Sequence, residues 1–85
     1  MNNESGDLSK ATSWAEHILS ELRVAMKKHP PMNSAHEGWA VIKEELDELW
    51  DEVKKRPSSR SLDRMQDEAT QVAAMAIRFL CDIKK

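Results

Sequence analysis

The residues with the most chemical potential in this 85-residue chain are carboxylates crowded into one stretch, VIKEELDELWDEV, Val41 to Val53. Six of these thirteen residues are acidic, and they alternate with Ile42, Leu46, Leu49, Trp50 and Val53, which a folded chain must bury. On a helix turning about 100° per residue, with Ile42 at zero, Leu46, Leu49 and Val53 gather near zero. Glu45 then falls roughly 60° from that centre and Glu48 roughly 120° on the same side, with Glu52 between them. Glu44 lies nearly opposite the apolar stripe, and Asp47 and Asp51 fall on the far face.

A second segment repeats the layout. With Met65 at zero, Val72, Ala76 and Ile83 cluster together, Glu68 sits roughly 60° off and Gln71 roughly 120° off. If the two helices pack antiparallel, both polar shoulders meet at the rim of the core. Side chains at i, i+3 have Cβ atoms about 5–6 Å apart. Two like charges at that distance repel by roughly 3 kcal/mol at an effective dielectric of about 20. A half-buried group of carboxylates therefore needs a counter-charge or a retained proton. Mg²⁺ supplies the former: it takes carboxylate oxygens, keeps several waters and completes its octahedron with phosphate oxygens. The plainer alternative is a solvated helix face whose acids pair with Lys43, Lys54 and Lys55.

The elements that would position these groups are helical. The first helix is expected from about Asp7 or Ser9 to Lys28, with Trp14, Ile18, Leu22, Ala25 and Met26 on one stripe. Pro30 and Pro31 end it. The second opens on a capping box, Ser34 with Glu37, and runs to about Lys55, before Pro57. The third begins near Ser61. Its main stripe is Leu62, Met65, Ala69, Val72, Ala76, Phe79, Leu80 and Ile83. A milder second stripe holds Thr70, Ala74, Ile77 and Cys81. Nothing alternates with a period of two, so the fold class is all-α, with short connections between antiparallel neighbours.

The length allows one domain, residues 1–85, with residues 1–7 expected to be flexible. A chain of this size buries only about 60% of its unfolded surface. A third helix that is apolar on two sides belongs in the middle of something, so a homodimer is expected, with helices two and three of each subunit forming a four-helix core. Charged residues make up 33% of the chain and the net charge is -2, which argues against a nucleic-acid surface. No apolar run approaches the ~20 residues of a membrane span. Cys81 is the single cysteine, which suits a reducing cytoplasm and excludes a disulfide framework or Cys/His zinc site.

Glu44-Glu45-Leu46-Asp47-Glu48 fits the E-E-x-x-E half of the MazG-type nucleotide pyrophosphohydrolase motif, and Glu68 begins its E-x-x-D half. The wording NSAHEGWAVIKEELDELWDEVKK, followed by DEATQVAAMAIRFL, resembles the compact MazG-like proteins of bacteria and phages over about Asn33 to Ile83. The resemblance implies an all-α NTP pyrophosphatase that cleaves a nucleoside triphosphate into a monophosphate and pyrophosphate with Mg²⁺, or with Mn²⁺ in its place. It implies Glu45, Glu48 and Glu68 as metal ligands, and Glu44 as a ligand to a second metal or the group that orients the attacking water. The family's final Asp is Gln71 here, a neutral ligand that removes one negative charge from the site. The rival expectation is a catalytically silent helical bundle, a nucleotide-binding or protein-interaction module. Arg78 and Lys54 are candidate phosphate contacts, and Lys55 with them. Trp39 and Trp50 flank the stripe of helix two, where they can stack on a base or pack in a core or interface. Trp14 reads as core. His36 is expected to be a solvated residue of the capping region.

Overall fold

The computed structural model describes residues 4–85, with side chains from Leu8 onward. It consists of α1 (Glu4–Lys28), α2 (Ala35–Val53), a short 3₁₀ turn (Pro57–Ser59) and α3 (Leu62–Asp82), with no strand among the described residues. The fold is therefore all-α. Of residues expected to be flexible, 1–3 lie outside the described residues, and α1 is already helical from Glu4.

The boundaries follow from local chemistry. Ser34 accepts a hydrogen bond from the Glu37 amide at 3.1 Å and so caps α2. The reciprocal half of the box is shifted by one residue: Glu37 Oε1 accepts from the amide of Asn33 at 2.8 Å, not from that of Ser34. Ser61 caps α3 by accepting from the Arg64 amide at 3.2 Å. Arg60 donates Nε to the Val53 carbonyl at 2.8 Å, satisfying one of the orphan acceptors that end α2.

α3 is the central element. It packs against α1 and against α2, while α1 and α2 do not pack on each other among the described residues. The subunit is thus an open three-helix layer. α2 runs antiparallel to α3, with Gly38 against Phe79 at one end. α1 runs parallel to α3: Trp14 and Ile18 lie beside Gln66, Ala69 and Thr70, and Ala25 and His29 lie beside Arg78.

The core is small: Leu22, Met32, Ala74 and Met75, with Ile18, Ala25, Val41, Ile42, Ile77, Phe79 and Ile83 packed around it. Both stripes of α3 are buried in part: Phe79 and Ile83 of the main stripe and Ala74 and Ile77 of the milder one join the core. The milder one meets α1, with Ala74 fully buried and Thr70 at 4% exposure, because small side chains let a neighbouring helix come close. Of the main stripe, Leu62 and Leu80 are 64% and 78% exposed, and Ala69 and Ala76 are also outside. Trp14, expected in the core, is 41% exposed and packs edge-on against His17, with ring centres 5.7 Å apart. Leu46 is likewise exposed rather than core.

Candidate metal centre

Glu44, Glu45 and Glu48 each offer a carboxylate oxygen to one point, and these oxygens lie within 4.8 Å of one another. Their helical spacing causes this: i, i+3 and i, i+4 side chains stand over one another on α2. Glu45 is half-buried against the core and the other two are exposed. Glu44, placed by the helical wheel nearly opposite the apolar stripe, is long enough to join the pair at Glu45 and Glu48.

The lysines of α2 do not neutralise this group. Lys43 bonds Asp47 at 2.7 Å, Lys54 bonds Asp51 at 3.1 Å and Lys55 bonds Glu52 at 2.9 Å. Among the described residues no ion pair involves Glu44, Glu45, Glu48 or Glu68. The solvated-face pairing expected for the acids is realised, but on the aspartates and Glu52.

The cost of that arrangement appears in the protonation equilibria. The Glu45 carboxyl is held above the usual range, first by burial, then by the charges of Glu48, Glu68 and Glu44. Glu68 is raised too, by burial and then by Glu48, Glu52 and Asp67. Glu68 of α3 is thus near enough for its charge to act on Glu45, although it stands outside the tight group of three.

Glu44 and Glu45 form part of the wall of a cleft of about 320 Å³ that also takes in Val41, Gln71, Met75 and Arg78. That volume is at the low end of small-molecule sites. Gln71 faces a residue that helical spacing does not point to: its Nε2 donates to Glu21 Oε1 of α1 at 2.9 Å. Glu21 flanks Leu22, next to the α1 stripe, and only the parallel docking of α1 on α3 brings it to Gln71.

The residues expected to meet substrate are differently placed. Arg78 lines the cleft but is 5% exposed. Its guanidinium donates to Asp82 at 3.0 Å and to the Ala25 and His29 carbonyls at 3.3 and 3.0 Å, so it fastens the end of α1 to α3. Asp82 also accepts from the Met32 amide at 2.9 Å. That bond, ahead of Arg78, holds its carboxyl below the ordinary range against the opposing effect of burial. Lys54 pairs with Asp51 at the far end of α2. Trp39 is 58% exposed and projects from α2 roughly 180° away from the cleft wall.

Three carboxylate oxygens without a basic partner suit a hard divalent cation. Two ligands of one Mg²⁺ stand at most about 4.2 Å apart, twice its ligand distance, so small rotamer changes would gather all three. No helix of the described residues is long and apolar enough to cross a membrane. No family model, curated protein or solved structure matches this chain.

Proposed function

We propose that the protein is a Mg²⁺-dependent nucleoside triphosphate pyrophosphohydrolase, acting as a homodimer on a non-canonical or deoxynucleoside triphosphate. The observation that carries this reading is the group Glu44, Glu45 and Glu48, left without a cation by lysines that pair elsewhere, with Glu44 and Glu45 on the wall of a cleft. The resemblance of the E-E-x-x-E stretch and Glu68 to the MazG-type motif supplies the reaction. Glu45 and Glu48 would hold the ion, with Glu68 close enough to raise the charge of the site. When bound, Mg²⁺ neutralises the polyphosphate and activates water. Glu44, exposed like Glu48, would orient that water or hold a second ion. Mn²⁺ would serve in place of Mg²⁺.

A second reading has its own support. Gln71 gives its amide to Glu21, and Arg78 is occupied by α1 and Asp82. The cleft therefore offers a phosphate little free positive charge of its own. A silent bundle that binds nucleotide or another protein fits those two facts. Pyrophosphate release from a panel of NTPs and dNTPs with Mg²⁺ or Mn²⁺ separates the readings, together with calorimetric Mg²⁺ binding to the wild type and Glu45→Ala. Turnover with a metal-dependent heat that Glu45→Ala abolishes supports the hydrolase; neither signal supports the silent bundle.

A further inference from the structure

Gln71 stands on the wall of the cleft with Glu44 and Glu45, whereas Glu21, its hydrogen-bond partner, lines no part of that wall. The bond spans 2.9 Å in a half-buried place and joins residues 50 positions apart. Chemistry sets its direction. An ionised carboxylate can only accept, so the nitrogen end of the amide must face Glu21. The amide is planar, with oxygen and nitrogen on opposite sides of one carbon, so holding the nitrogen towards α1 turns the oxygen away from it. No hydrogen bond among the described residues reaches that oxygen. None of their buried side-chain nitrogens or oxygens lacks a partner, so Gln71 Oε1 is an acceptor open to solvent.

We infer, building on the reading of Glu45 and Glu48 as holders of the ion, that Glu21 is a positioning residue. By fixing the Gln71 amide in one orientation it presents Oε1, and not the NH₂ group, to that ion as a neutral ligand. Carbonyl oxygens suit Mg²⁺ and Mn²⁺ as carboxylates do. A neutral oxygen also adds a ligand to a crowded acidic group without adding another negative charge. A glutamine free to rotate offers either end of its amide, and the NH₂ end repels a cation. Glu21 thus does for an amide ligand what an outer carboxylate does for a metal-bound histidine. Fastening α1 does not require this bond, because Arg78 already holds α1 through the Ala25 and His29 carbonyls.

Calorimetric titration of the full chain with Mn²⁺ alone tests this without turnover. Glu21→Ala should weaken Mn²⁺ binding by about 10-fold or more, the usual loss when a residue that orients a metal ligand is removed. Glu21→Gln, whose carbonyl still accepts from Gln71, should lose less than about threefold. The background decides between orientation and charge. In Gln71→Asp the ligand has two equivalent oxygens and needs no orienting, so adding Glu21→Ala there should cost less than about threefold. A loss due only to the missing negative charge would be the same in both backgrounds and the same for Glu21→Gln, and would overturn the inference. A wild type that binds Mn²⁺ while Glu21→Ala binds it equally well would overturn the inference alone. A wild type that binds no Mn²⁺ would overturn the hydrolase reading and the positioning role together. One measurement needs no variant: saturating Mg²⁺ should shift the Gln71 side-chain NH₂ resonances of the wild type in nitrogen-15 NMR, and resonances that stay in place would contradict ligation by Oε1.

Discussion

Gln71 on α3 donates its side-chain amide to Glu21 on α1 across 2.9 Å, tying the outer helix to the shoulder that also carries Glu68. The neutral residue at this position is thus a partner for a carboxylate, besides being one charge fewer near Glu45. Gln71→Asp would replace the bond with two facing carboxylates. Losing a hydrogen bond to a charged group costs about 1.5–3 kcal/mol, which in a chain of this length lowers Tm by roughly 10 °C. Melting with and without Mg²⁺ checks this: the loss should be large without the ion and smaller with it.

Acidification should stabilise the metal-free protein before it harms it. Glu45 and Glu68 have folded-state pKa values above their unfolded ones, so the native state binds the proton more tightly and stability rises as pH falls through the raised values toward about 4.3. Asp82 acts oppositely. Its folded value is depressed, so its contribution is present above about 3.9 and is lost as pH falls from there through the folded value. Thermal melts between neutral and acid pH should therefore pass through a mildly acid optimum. Saturating Mg²⁺ should flatten the rise, because it favours the ionised carboxylates.

Arg78 predicts a stability effect rather than a simple loss of substrate affinity. Arg78→Lys keeps the charge but loses the fork that reaches Ala25, His29 and Asp82 together. Losing a hydrogen bond from the charged guanidinium costs about 1.5–3 kcal/mol. Denaturant unfolding should show that loss, and hydrogen exchange should show earlier opening at the end of α1 than in α2.

At Gly38, α2 lies close against Phe79 of α3. A Cβ there would stand 2.6 Å from Phe79 Cδ2 and 3.2 Å from Met32 Sδ. Gly38→Ala gains roughly 1 kcal/mol of helix propensity but forces the Phe79 ring aside, an overpacking cost of about 1–3 kcal/mol. The net expectation is a loss of about 1 kcal/mol by urea unfolding, with Phe79→Leu in the same chain restoring part of it.

What was legible in the sequence was whatever local chemistry decides. Ser34, Ser61, Pro30 and Pro57 mark helix ends because capping and proline geometry act within a few residues. The grouping of Glu44, Glu45 and Glu48 follows from helical spacing alone. What was hidden depends on which sides of α3 its neighbours take. A helix with two apolar stripes does not announce which side each neighbour takes, so Thr70 and Ala74 became core while Leu62 and Leu80 stayed outside. Arg78 reads as an exposed base in sequence, and only the parallel docking of α1 supplies the carbonyls that hold it inside. Glu21 was missed for the same reason, since nothing near it in sequence points to Gln71.

The central claim is that the glutamates of α2 hold an ion that cleaves a nucleoside triphosphate. Its most direct test is pyrophosphate and monophosphate release from a panel of NTPs and dNTPs with Mg²⁺, for the wild type and Glu48→Gln side by side. The account predicts equal amounts of the two products from at least one triphosphate, falling at least 100-fold in Glu48→Gln while its helix content is unchanged. Release of neither product by a folded wild type that binds no Mg²⁺ would contradict it.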